Sequence, residues 1–166
     1  MSDYCLGPAR LADARRISLL SRRLIEAGLS PSWPETRVVA SIRHRDSMVL
    51  TARARYDELA GFAIMQFGDE RAHLNLLAVA PHHRRRGVAR RLVQWLEASA
   101  LTAGTFGITL ELRATNVAAQ AFYCALGYRE IGRVAGYYER VEDAIRMARD
   151  VRPGRIYSFG DGTCAH

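Results

Sequence analysis

Apolar side chains at Leu11, Ile17, Leu20 and Leu24 recur at helical spacing among arginines, until Gly28 and Pro31 end the pattern. The spacing predicts a first helix over about Leu11–Ala27. A shorter helical segment is expected from Pro34 to Ser41. The chain then turns β-compatible: Ser47–Arg55, Leu59–Phe67 and Ala72–Val79 read as three strands, joined at Asp57-Glu58 and Gly68-Asp69 by turns short enough for an antiparallel meander. Pro81 breaks this register. After Gly87, the residues Val88, Leu92, Trp95, Leu96 and Ser99 form one stripe of an amphipathic helix. Ile108–Arg113 is a further strand, Asn116–Leu126 a helix closed by Gly127, and Tyr128–Val134 and Asp143–Ala148 two last strands. Helices and strands mix throughout, so the fold class is α/β (α+β), a mixed, mainly antiparallel twisted sheet of about six to seven strands with about four helices. One domain is expected over 1–150, followed by an irregular tail over 151–166 rich in Gly and Pro.

The composition agrees with one compact unit. The chain has 166 residues, 49% of them hydrophobic, enough to bury roughly 70% of the unfolded surface. No stretch approaches the ~18 apolar residues of a membrane span and no signal-like N-terminus is present, so a cytoplasmic protein without membrane contact is expected. Cys5, Cys124 and Cys164 are odd in number and far apart, which predicts neither a disulfide nor a zinc site, and Cys124 is read as a small core residue. The net charge of +7, from 24 Lys+Arg against 17 Asp+Glu, is compatible with nucleic acid, ribosomes, an acidic peptide or a phosphorylated ligand. Its placement narrows the choice. Arg84, Arg85, Arg86, Arg90 and Arg91 crowd one strand-to-helix loop, Val79 to Arg90, where unpaired helical amides and the peptide dipoles favour a bound phosphate. Gly87 and Ala89 are small where such a ligand approaches the backbone. The same loop also reads as a plain basic turn. Dinucleotide and P-loop fingerprints are absent. No metal is expected, because adjacent histidines such as His82-His83 tend to point apart and no Cys or carboxylate stands at ligand spacing.

Arg84-x-x-Gly87-x-Ala89, preceded by Leu76-Leu77-Ala78-Val79-Ala80-Pro81, resembles the signature of the GNAT superfamily of acyl-CoA-dependent N-acetyltransferases. Downstream, Leu110-Glu111-Leu112-Arg113-Ala114-Thr115-Asn116, Ala118 to Tyr123, Leu126-Gly127-Tyr128, Tyr137-Tyr138 and Glu142 to Met147 resemble its RimI group of ribosomal-protein alanine N-acetyltransferases. The similarity runs over about Leu74–Met147. Two departures are an alanine, Ala89, where many members carry glycine, and Arg84 where many carry glutamine.

The resemblance implies acetyl-CoA as co-substrate, held by Leu77, Val79, Arg84, Arg85, Arg86, Gly87, Val88, Ala89, Arg90, Asn116 and Tyr123. It implies Glu111 as general base and Tyr123 as general acid toward the departing thiolate. Strand alternation independently turns Glu111 away from Leu110 and Leu112, although a solvated surface glutamate has the same pattern. Asn116 and Tyr123, seven residues apart, share a helix face, while Ala118, Ala121, Phe122 and Ala125 lie on another. That leaves Tyr123 free to reach the co-substrate; a core tyrosine and an N-capping asparagine are the structural alternatives. Tyr137 and Tyr138, placed in the connection between the last strands, are expected to grip a peptide acceptor, or else to pack that hairpin. The expected acceptor is a protein or peptide N-terminal amine, with a ribosomal protein as one candidate. The alternatives are a small-molecule amine acetyltransferase and, in another class, a non-catalytic RNA- or ribosome-binding module; sequence-specific nucleic-acid binding is not expected.

Overall fold

The computed structural model describes residues 3–154. Seven strands form one sheet: β1 (Cys5–Pro8), β2 (Ser47–Arg53), β3 (Leu59–Phe67), β4 (Arg71–Val79), β5 (Gly107–Arg113), β6 (Arg129–Tyr138) and β7 (Glu142–Asp150). Their spatial order is β1-β2-β3-β4-β5-β7-β6, and every neighbouring pair is antiparallel except β4 and β5. Four helices complete the fold: α1 (Ala14–Leu24), α2 (Glu35–Arg43), α3 (Val88–Thr102) and α4 (Val117–Ala125). The expected mixed, mainly antiparallel architecture is therefore the one observed.

Several boundaries differ from the expectation, for local reasons. The chain before α1 tightens into a 3₁₀ turn, Leu11–Asp13, in which the buried Asp13 accepts from the Arg10 amide and pairs with Arg53. At its other end, α1 stops at Leu24 because the buried Glu26 carboxylate gathers Ser21, Ser32 and the Trp33 amide, turning the chain toward α2. β1 was not foreseen; four residues including Gly7 and Pro8 carry no alternation, and only pairing with β2 makes them a strand. Of the tail, residues 151–154 are described and the remainder lies outside the described residues.

Two apolar layers cover the two faces of the sheet. One joins Leu50, Met65, Leu74, Leu110 and Met147 to Leu92 and Leu96 of α3 and Tyr123 of α4; the other joins Phe62, Ile64 and Leu76 to Ile17 of α1 and Val38 of α2. β4 serves both layers. Opposite β3, Ile64 pairs with Leu76 but Met65 pairs with Leu74, so Asn75 is an extra residue, a β-bulge. Ala72 and Leu74 before it face the α3 and α4 layer, whereas Leu76 and Ala78 after it face α1 and α2. A one-residue insertion exchanges the faces because side chains alternate with period two.

The bulge coincides with a parting of strands. β4 and β5 pair from Arg71 opposite Gly107 to Leu74 opposite Leu110, and no further. Beyond this point β5 remains paired with β7 through Arg113, while β4 continues alone on that side to Val79. Gly61 on β3 holds this end of β4 close: a Cβ there would lie 2.9 Å from the Ala78 carbonyl oxygen and 3.2 Å from Val79 Cγ2. Gly61→Ala should therefore destabilise the fold by about 1–3 kcal/mol through overpacking, read as a lower urea midpoint with an unchanged slope.

Candidate active site

The register shows which backbone groups the parting leaves open. The Ala80 amide donates to the Ala60 carbonyl at 2.8 Å, so by antiparallel alternation Ala78 and Leu76 also direct their polar groups at β3, and Val79 and Leu77 direct theirs at the gap. There the Val79 carbonyl accepts from Arg84 Nε at 3.1 Å. Leu77 and Val79 thus stand as the sequence places them, on a strand edge able to pair with an extended ligand.

The basic loop begins where this edge ends. Pro81–His83 forms a 3₁₀ turn, Arg85 (φ 62°) and Gly87 (φ 78°) adopt left-handed backbone, and α3 starts at Val88. The first helical bond is from the Arg91 amide to the Gly87 carbonyl at 3.1 Å; among the described residues, the amides of Arg85 to Arg90 donate to no backbone acceptor. No side chain caps α3. Arg84, Arg85, Arg86, Gly87 and Arg90 are exposed, Ala89 is half-buried and Val88 is buried. Val88 anchors the helix start while its neighbours present amides and guanidinium groups, a fit for phosphate oxygens.

Glu111 lies on β5 just past the last β4 pairing, on the face opposite Leu110 and Leu112. It is not a solvated surface glutamate: its side chain is 11% exposed, Oε2 lies 2.8 Å from His73 Nε2, and Oε1 accepts from Arg146 Nε at 2.8 Å. His73 Nδ1 lies 2.9 Å from Thr109 Oγ1. The hydrogen bond with His73 holds the carboxyl below its ordinary 4.5; burial opposes this, and Arg146 adds to the lowering. Sequence reasoning missed both partners. His73 reaches Glu111 only because β4 and β5 pair in parallel with His73 beside Thr109, and Arg146 because it lies opposite Glu111 on β7.

Tyr123 corrects an expectation. The alanine face of α4 is exposed at Ala118, Ala121 and Ala125, and Tyr123 is the buried member, edge-on to Phe122 and Tyr128. The sheet packs against the face that holds the tyrosine. Burial raises the Tyr123 phenol above its ordinary range, keeping it protonated, and among the described residues its hydroxyl has no hydrogen-bond partner. Asn116 is the N-cap of α4, its Oδ1 accepting from the Ala119 amide at 3.1 Å, so only its NH₂ group remains for a ligand. Cys124 also departs from expectation: it is disulfide-bonded rather than a thiol.

Tyr137 and Tyr138 end β6 rather than occupying a loop; the connection is only Glu139–Val141, with Glu139 and Arg140 in left-handed backbone. Their rings meet edge-on at 5.0 Å. Burial raises both phenols, Tyr138 to about 12, and the charge of Glu111 contributes to each, which places all three in one neighbourhood. The chain between α1 and α2 closes over the same region. Arg113 donates to the Ile25 and Ala27 carbonyls at 3.0 and 2.8 Å, and the Ser30 amide donates to Glu139 Oε1 at 2.7 Å.

A strand edge, an amide-rich basic loop at its end and the half-buried Glu111 carboxylate meet where β4 and β5 part. The model of the Acetyltransferase (GNAT) family matches residues 18–128. The chain belongs to the GNAT acetyltransferase family. GNAT relatives include the [ribosomal protein bS18]-alanine N-acetyltransferase of Salmonella typhimurium, 41% identical over 95 residues, 55% of this chain and 64% of that protein. Another is the catalytic subunit of the N-terminal acetyltransferase B complex of Schizosaccharomyces pombe, 36% identical over 97 residues, 54% of each chain. The match thus spans under two thirds of these GNAT relatives. The crystal structure of the ribosomal-protein-S18-alanine N-acetyltransferase from Escherichia coli superposes with a TM-score of 0.75 at 26% identity, over 93% of this chain and 99% of that one. Among the described residues, no helix is long and apolar enough to cross a membrane.

His73→Ala should raise the Glu111 pKa more than Arg146→Ala does, measured by carboxylate NMR titration. Because the folded-state pKa is depressed, the stability that Glu111 contributes is present above about 4.5 and is lost as pH falls through the folded value. His73→Ala should therefore narrow the wild-type stability difference between neutral and acid pH.

Proposed function

We propose that this GNAT chain, acting as one catalytic unit over about residues 1–150, transfers an acetyl group from acetyl-CoA to the N-terminal α-amine of a protein, a ribosomal protein being the acceptor that its relatives suggest. The observation that carries the reading is the open edge of β4 at Leu77 and Val79, running directly into the amides of Arg85 to Arg90, which donate to no backbone acceptor among the described residues, with Glu111 across the gap. An extended arm on that edge with its phosphates at the loop directs a thioester toward Glu111. A cytoplasmic setting suits an acceptor newly made on ribosomes.

The amine attacks the thioester carbonyl in a ternary complex, the C–N bond forms, and collapse of the tetrahedral adduct breaks the C–S bond. Glu111, held ionised by His73 and Arg146, takes the ammonium proton through water, since a carboxylate of lowered pKa is a weak direct base. Tyr123, protonated and without a hydrogen-bond partner among the described residues, gives its proton to the departing thiolate. Asn116 contributes its free NH₂ to the co-substrate. Tyr137 and Tyr138 flank the acceptor under the bridge from Ser30 to Glu139, and their hydroxyls suit a peptide backbone. A polycationic small amine is disfavoured here, because Arg113 and Arg146 stand in the same neighbourhood as Glu111.

With saturating acetyl-CoA and a peptide beginning in alanine, Glu111→Gln and Tyr123→Phe should each lower kcat by about 10²-fold. Tyr137→Phe should raise the peptide KM and leave that of acetyl-CoA in place. Near-wild-type turnover in both of the first two variants would remove the assigned acid and base. Since Glu111 is ionised well below neutrality, kcat/KM should rise with pH up to the ionisation of the amine near about 8, and Glu111→Gln should lower that profile without moving its limb.

A further inference from the structure

The adjacent histidines at the start of the basic loop do not point apart. Their rings lie 4.1 Å apart at 45°, and both Nε2 atoms face one carboxylate oxygen, Glu58 Oε1, at 2.7 Å from His82 and 3.3 Å from His83. Glu58 is remote in sequence. It reaches the histidines because its turn precedes β3 while they follow β4, and the two strands run antiparallel with Ala60 bonded to Ala80. The three ligand atoms lie within 4.8 Å of one another.

His83 decides what the cluster is for. Its side chain is only 8% exposed, its Nδ1 lies 2.9 Å from the Tyr4 hydroxyl, and its buried Nε2 has no hydrogen-bond partner among the described residues. An N–H buried there without an acceptor in bonding geometry is costly, so the proton belongs on Nδ1, donated to Tyr4, and Nε2 carries a lone pair. A lone pair 3.3 Å from a carboxylate oxygen repels it unless a cation lies between them. Ligands about 2.0–2.1 Å from a tetrahedral zinc are separated by about 3.3 Å, so His83 and Glu58 already stand at that spacing. His82 and Glu58, both exposed, need to open by only about half an ångström.

We propose that Glu58, His82 and His83 form a site for one borderline divalent cation of the Zn²⁺ class, with Tyr4 orienting His83 and the fourth position open to solvent. The cation bridges the turn before β3 to the turn that launches the basic loop. It stands apart from the acyl-transfer chemistry, since Glu111 and its partners lie on β4, β5 and β7.

The test uses the full chain without an affinity tag, stripped with chelator, titrated calorimetrically with ZnCl₂ and, separately, with CoCl₂ while the visible spectrum is followed. The expected result is one Zn²⁺ per chain at micromolar concentration, a tetrahedral Co²⁺ spectrum, and a rise in Tm of about 2–4 °C at saturation. His82→Ala and Glu58→Ala, at exposed positions that leave folding intact, should each weaken Zn²⁺ at least about tenfold and abolish the Co²⁺ spectrum; Tyr4→Phe should weaken it about tenfold. Cys5→Ser should bind as wild type. Absence of Zn²⁺ binding, or binding unchanged in both His82→Ala and Glu58→Ala, overturns the proposal.

Discussion

A strand whose neighbour turns away keeps a row of amides and carbonyls, and each group left without a partner costs about 1–3 kcal/mol when buried. β4 is in that position from Asn75 to Val79. The bulge at Asn75 and the end of pairing at Leu74 opposite Leu110 are one event: the extra residue re-aims β4 and lets β5 depart with β7. The positions of Arg84, the amide-rich loop and Glu111 all follow from it. Arg84 places its Nε on the Val79 carbonyl, satisfying one of the groups that the departure exposes.

The face exchange at the bulge also divides the packing. Before it, β4 supports α3 and α4 and so fixes Val88 and Tyr123; after it, β4 supports α1 and α2, whose connection leans on Arg113 and Glu139. The two helical layers are thereby referred to a single strand. Two polar ties hold the second layer: the buried Glu26 carboxylate, which gathers the chain after α1, and Arg113, which links that chain to β5.

Among the described residues, β-compatible runs bounded by turns are enough to predict six of the seven strands, and apolar spacing or a leading proline the four helices. These signals miss β1, whose order comes from pairing alone. At the site, Glu111 was legible from alternation and resemblance, whereas its environment was not: His73 lies 38 positions earlier and Arg146 35 later, and only the strand order β4-β5-β7 brings them to it. For Tyr123, a helical wheel shows which residues of α4 share a face and not which face a sheet will cover, and the sheet covers the face of the tyrosine. Around His82-His83 the sequence shows no carboxylate at ligand spacing; Glu58 comes to them through the antiparallel pairing of β3 with β4.

The open edge of β4 has one more consequence. Exposed strand edges invite pairing with other chains, and proteins ordinarily shorten, charge or cover them. This edge lies inside the sheet, with β5 diverging beside it and Arg84 across one carbonyl. The wedge thus places the unpaired stretch of β4 within the sheet, between β3 and β5, and not at its outer rim.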